Sequence, residues 1–239
     1  MLKITGSGGT AAPVSAAWSE KLRPMQMNLP VPETQGPSRV DESTIGKAAN
    51  HPMTSANYYD FATADAFGLF VRGPSGEIVG GMSARIVRLG RDSLATHLEQ
   101  SYARLYSDSG ANPVHSRLRI ADEISGNVTY QGELYLHPEW RGGRVNVAAV
   151  MHYAHLLSAL KWQPDWIYAF MRIEGISHAA RYGFTRQHVG ALLWSDCTPR
   201  RSEKECLVAL NQIELHEVIS FYLANPDRFA LRKDQKRKQ

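Results

Sequence analysis

The chain has 239 residues, 43% of them hydrophobic, with two cysteines, Cys197 and Cys206. No apolar run nears the roughly 20 residues with which a helix crosses a bilayer, and two cysteines are too few for a disulfide framework, so neither a membrane-spanning helix nor a disulfide-stapled fold is expected. The net charge of +4 is uneven: residues 228–239 hold six Lys or Arg and one Asp, a sum of +5, which leaves −1 for the rest and argues against a basic nucleic-acid face on the folded body.

In chain order, residues 1–56 carry six of the twelve prolines, a Gly-Ser-Gly-Gly run at 6–9 and a polar stretch at 33–43. No helical period appears, so this segment reads as extended and partly disordered. It is either a floppy end or a segment that covers the active site or a partner subunit. It lacks the long apolar core of a secretory signal, which together with the cysteine count predicts a cytoplasmic protein. Residues 66–72 and 77–87 are apolar, strand-like runs, and Gly73-Pro74-Ser75-Gly76 between them has turn chemistry, which predicts a hairpin. Gly80 and Gly81 in the second run predict a bulge or a close approach. Residues 92–106 read as a helix capped by Asp92 or Ser93, with Leu94, Leu98, Tyr102 and Leu105 on one face. Residues 108–112 read as loop and 117–124 as a short strand.

The densest stretch is 128–160. Val128, Tyr130, Gly132, Leu134 and Leu136 alternate with Thr129, Gln131, Glu133 and Tyr135, the period of a strand, and Pro138 ends it. Arg141-Gly142-Gly143-Arg144 is a sharp turn. From Val145, apolar residues at Val147, Val150, Met151, Ala154, Leu157 and Leu160 mark one face of a helix. A strand that feeds a helix through such a turn makes an anion site: the first helical N–H groups lack internal partners, the helix dipole adds positive charge, and arginines pair with phosphate. Beyond it, 163–165 reads as a turn, 166–171 as a buried strand, 174–182 as a short helix stopped by Gly183, and 189–194 as a strand. A polar loop at 195–205, a last strand at 206–213 and a last helix at 214–224 follow. The mixture predicts an α/β (α+β) sandwich on a mixed sheet.

The succession of strand, Pro138, Trp140-Arg141-Gly142 and long apolar helix resembles the acetyl-CoA-binding core of the GCN5-related N-acetyltransferase (GNAT) superfamily, in a divergent form. There a loop of the form Arg/Gln-x-x-Gly-x-Gly/Ala holds the cofactor pyrophosphate. Arg141 and Gly142 fit it, while the two small positions fall on Arg144 and Asn146. Residues 166–171 look like the next strand of the family, 178–184 like its short helix ending in Gly-Phe, and 66–87 like its hairpin. The resemblance covers roughly 60–225 and implies a mixed, mostly antiparallel sheet flanked by helices. It divides the chain into an N-terminal segment (1–56), an acyltransferase domain (57–227) and a basic tail (228–239). An insertion at about 88–127 interrupts the domain and is expected on the acceptor side.

The implied reaction moves an acyl group from a CoA thioester to an amine without a covalent enzyme intermediate. It needs a base for the amine, stabilisation of the thioester oxygen and an acid for the thiolate. Glu133 is the candidate base, with Glu123 behind it; the bland alternative is a solvated strand residue. The family's acid is a tyrosine four residues before the glycine of Gly-Phe, which here is Ala179. Tyr182 or Ser177 would have to substitute, and Tyr182 could equally be a packing residue. Arg141, Gly142, Gly143, Arg144, Val145 and Asn146 would contact the pyrophosphate, and Leu134, Tyr135 and Leu136 would offer backbone groups to the pantetheine arm. His152 and His155, three apart on the core helix, lack a third ligand motif, so no metal is expected. The donor is then acetyl-CoA or another acyl-CoA, and the acceptor a small-molecule or peptide amine, with nucleic acid and membrane unexpected and a homodimer compatible. The rival readings are a longer-chain or carrier-protein donor, which the altered loop would suit, and a GNAT-fold binding module that has lost catalysis.

Overall fold

The computed structural model describes residues 33–35, 53, 64–73, 75–105, 115–116, 118–193 and 204–225. The strands are β1 (Glu33–Gln35), β2 (Ala66–Arg72), β3 (Ile78–Gly90), β4 (His115–Ser116), β5 (Gly126–Leu136), β6 (Trp166–Arg172), β7 (Arg186–Val189), β8 (Leu192–Leu193) and β9 (Glu205–Asn211). The helices are α1 (Leu94–Leu105), α2 (Arg119–Glu123), α3 (Val147–Trp162) and α4 (Gln212–Ala224). Seven strands form one sheet in the order β1-β2-β3-β5-β6-β9-β7, and β4 pairs with β8 in a second. Within the large sheet only β5 and β6 run parallel. This is the mixed, mostly antiparallel sheet flanked by helices that the sequence predicts.

Each face of the sheet has its own core. On one, Phe67, Leu69, Met82, Ile167 and Val208 pack beneath α3 and α4. On the other, Val87, Val128, Tyr130, Tyr168 and Leu207 pack beneath α1 and α2. Full burial of such side chains stabilises by roughly 1.5–3 kcal/mol each, so two apolar faces require two covering layers. The β2–β3 hairpin and α1 form as predicted. Ser93 caps α1 by accepting from the Thr96 amide at 3.3 Å, and Leu94, Leu98, Tyr102 and Leu105 are all buried. Gly81 supplies the predicted close approach: a Cβ there would lie 2.6 Å from the Leu69 carbonyl oxygen.

Four local expectations are corrected. Within the strand expected at 117–124, Arg119–Glu123 form α2, because Ile120, Ala121 and Ile124 bury on one side while Asp122 and Glu123 stay exposed, a helical spacing that the alternation of Leu118 and Ile120 obscures. Residues 173–182 are two 3₁₀ turns, Ile173–His178 and Ala180–Tyr182, with no α-helix between them. The strand expected at 189–194 divides into β7 and β8 around Gly190, whose φ is +72°. Helix α3 starts at Val147, and residues 149–158 are buried on every side, so it is a core helix with no single apolar stripe.

Part of the N-terminal segment joins the body. Glu33–Gln35 pairs with β2 at the sheet edge, and Met53 is wholly buried in the second core. The rest of that segment, the loop expected at 108–112, residues 195–203 of the loop expected at 195–205 and the basic tail lie outside the described residues. Helix α1 is a layer of the fold: Leu98 and Tyr102, each 1% exposed, seal the second core. Among the described residues no helix is long and apolar enough to cross a membrane.

Candidate active site

The site begins where β5 and β6 part. Their parallel ladder holds only three residue pairs, Val128–Tyr130 with Trp166–Tyr168. Beyond them β5 stays bonded to β3 as far as Leu136, and β6 stays bonded to β9 as far as Arg172. The sheet therefore opens into a notch between its two central strands, and the facing backbone groups of 131–136 and 169–172 make no ladder with each other.

A bulge lies on the notch. Gly81 and Ser83 of β3 face Tyr135 and Gly132 of β5, so Glu133 and Leu134 together oppose the single Met82. Glu133 has φ +60°. A non-glycine residue held there is uncommon and costs on the order of 1–3 kcal/mol, a cost that recurs at functional sites. The extra residue also reverses the alternation. Tyr130 packs into the core beneath α1, yet Leu136, six residues on, packs against the core beneath α3. Leu134 is 40% exposed.

After β5, Pro138–Trp140 form a 3₁₀ turn, and Gly142 and Gly143 both take left-handed backbone, with φ of +73° and +93°. A Cβ at either glycine would meet nothing within 4 Å, so they are required by conformation and leave open space in front of the turn. Trp140 and Val145 pack into the core on either side, while 141–144 is exposed. The Arg141 guanidinium is anchored: its Nε donates to the Leu136 carbonyl at 3.0 Å, and it lies 5.9 Å from the Tyr135 ring centre. Asn146 is the N-cap of α3, its Oδ1 accepting from the Ala149 amide at 3.2 Å, while the Val147 amide donates to the Val145 carbonyl at 3.1 Å. Two of the first three helical amides are thereby satisfied internally. Positive charge at this turn comes mainly from the two arginines.

Tyr182 follows β6, so its turn and the Arg-Gly-Gly-Arg loop leave the carboxyl ends of the two parted strands. The phenol is half-buried, which raises its pKa against the opposing pull of Arg181. Its ring stacks on His178 with centroids 5.9 Å apart. Ala179, where the resemblance would place a tyrosine, is 0% exposed and presents no hydroxyl. Ser177 is exposed. Glu123 is not brought to the notch: on α2 it lines a pocket with Arg186 and His188 of the edge strand β7, two strands from β6.

His152 and His155, which the sequence analysis weighed only as a metal pair, were given no other role there. Both are buried, at 4% and 0% exposure, and bond to the carbonyls of Arg181 and Tyr182 at 3.0 and 2.9 Å. The available signal was two polar residues, three apart, inside an otherwise apolar helix. Among the described residues no group of three His, Cys, Asp or Glu could hold a metal ion.

No family model matches this chain, and no curated protein does. Solved structures do. The Arabidopsis thaliana protein NAA60 in complex with acetyl-CoA is 14% identical, over 75% of this chain and 97% of that one, with a TM-score of 0.42. A chimera of the Vibrio cholerae spermidine N-acetyltransferase SpeG is 11% identical, over 64% and 70%, with a TM-score of 0.39. FeeM, an N-acyl amino acid synthase from uncultured soil microbes, is 12% identical, over 64% and 72%, with a TM-score of 0.35.

Proposed function

We propose that this chain is a divergent GNAT-type N-acyltransferase whose acyl-CoA donor lies in the notch between β5 and β6. The observation that carries the reading is the parting of the two parallel strands after three residue pairs, at a bulge, with an exposed Arg-Gly-Gly-Arg loop at the mouth. A pantetheine arm alternates amides with short apolar segments and can complete the strand edge that Leu134, Tyr135 and Leu136 present. The pyrophosphate then meets Arg141 and Arg144 at the glycine turn.

In the reaction the amine nitrogen attacks the thioester carbonyl carbon, the carbon–sulfur bond breaks, and the products are an amide and CoA. Glu133 takes the proton that the amine loses. Backbone N–H groups past the bulge stabilise the oxyanion, and Tyr182 gives a proton to the departing thiolate. The acceptor is a small-molecule or peptide amine. A longer acyl chain or a carrier-protein donor is a second reading, favoured by Arg144 and Asn146 at the loop's small positions and by the exposed Leu134 beside the notch.

Thermal unfolding with CoA, acetyl-CoA and decanoyl-CoA at millimolar concentration tests the donor, with ATP as the control that shares the adenosine and phosphates. A ligand at about 100 times its Kd stabilises by about 2.7 kcal/mol, and for a chain of this size each kcal/mol raises Tm by about 2–4 °C. A rise of several degrees with the CoA compounds but not with ATP is expected. A Tm unmoved by all three would defeat the proposal, and a rise confined to decanoyl-CoA would favour the longer-chain reading.

A further inference from the structure

We propose that His152 and His155 are positioning residues that fix the backbone on either side of the Tyr182 side chain and so set the direction in which its phenol reaches. This rests on the reading of Tyr182 as the acid for the departing thiolate. His152 and His155 lie on one face of α3, and each Nε2 bonds one of two consecutive peptide carbonyls, those of Arg181 and Tyr182. A carbonyl can only accept, so each imidazole carries its proton on Nε2. Burial favours the neutral ring, with the pKa of His152 lowered to about 3, its neighbour His155 adding to the effect, and that of His155 to about 4. At neutral pH each ring therefore presents one donor in one tautomer.

The turn is seated tightly against these rings. A Cβ at Gly183 would lie 2.7 Å from Cε1 of His152 and 3.0 Å from Cδ2 of His155, and Gly183 holds φ +93°. Only glycine fits after Tyr182 without displacing the imidazoles. The rings are held in turn. His152 lies 3.7 Å from the Tyr222 ring of α4, and His155 stands edge-on to Phe184 at 5.1 Å. On its other side the Tyr182 amide donates to the Ala179 carbonyl at 3.0 Å, which also accepts from the Phe184 amide at 3.0 Å. The amide, the carbonyl and the following residue of Tyr182 are thus all fixed, and only its side-chain torsions remain free.

Apolar packing alone does not explain the pair. Two imidazoles inside a core helix cost desolvation that two leucines would avoid, unless their hydrogen bonds do something that packing cannot. A structural metal is not indicated either, since among the described residues no third His, Cys, Asp or Glu joins the pair in a group that could hold one.

The test is a double-mutant cycle between His155 and Tyr182. His155→Leu and His155→Phe keep apolar volume and remove the donor, and either folded variant serves. His155→Gln keeps an amide N–H near the position of Nε2. The readouts are free-thiol release from acetyl-CoA in a mixture of small primary amines and amino acids, and the CoA-induced rise in Tm. Loss of the donor should lower kcat by about tenfold or more, since small misplacements of a reacting group are costly, and leave KM for acetyl-CoA and the CoA-induced rise in Tm unchanged. His155→Gln should recover most of the rate. In a Tyr182→Phe background, loss of the donor should change kcat by less than about twofold, because the group being aimed is gone. An equal loss of rate in that background, or no loss in the wild-type background, overturns the positioning role while leaving the acyltransferase reading intact. A wild-type chain that neither binds CoA nor releases thiol overturns both.

Discussion

Glu133→Gln should lower kcat by about 100-fold or more, while KM for the acyl donor stays within about twofold. The substitution keeps the length and planarity of the side chain, and glutamine accepts the left-handed backbone at φ +60° no worse than glutamate. What it removes is the basic oxygen. The bulge, not the alternation of the strand, presents this residue at the start of the notch. Tyr182→Phe should give a loss of the same order that grows as the leaving thiol becomes more basic, because the phenol is assigned to protonate that thiol. Steady-state kinetics of both variants across pH decide the roles. A Glu133→Gln variant with unchanged kcat at every pH would remove Glu133 from the proton path, and a Tyr182→Phe variant at full rate would remove the phenol.

The second large effect falls on the donor. Arg141→Ala should weaken CoA binding by about tenfold, and Arg144→Ala by less. Charge-assisted bonds to phosphate are stronger than neutral ones, but both side chains are exposed and solvent screens them. The difference between them comes from preorganisation. Arg141 is already tied to the Leu136 carbonyl and lies over Tyr135, so it loses less side-chain freedom on binding than Arg144. The double change should weaken binding more than either alone. Arg141→Lys should not restore it fully, since an ammonium cannot make the same forked contact. Calorimetric titration with CoA at two salt concentrations measures both effects. Unaltered affinity in the double variant would make the turn purely structural.

Much of this was legible before any coordinates. The β2–β3 hairpin, α1 with its serine cap, and the order of strand, glycine turn and long helix follow from spacing and turn chemistry alone. The bulge was not legible, because simple alternation puts Leu134 inside, whereas the added residue at Glu133–Leu134 turns Leu134 outward and Leu136 to the opposite face. Gly132 was the only hint. Nor could the sequence show that Asn146 spends its side chain capping α3, since a residue at a helix start can cap or contact a ligand with equal local logic. The Tyr182 turn is held from outside by His152 and His155, whose hydrogen bonds to it span 29 and 27 residues. Local pattern carries no record of such contacts.

Hydrogen exchange of the wild-type chain with and without saturating CoA, read by mass spectrometry at peptide resolution, tests the central claim most directly. If the parted strands and the loop form the donor site, CoA should slow exchange in peptides covering 133–136 and 141–148. Peptides covering α1 and β7, on the far face and far edge of the sheet, should exchange as before. Protection confined to other elements, or none at a CoA concentration that raises Tm, would contradict the assignment of the notch.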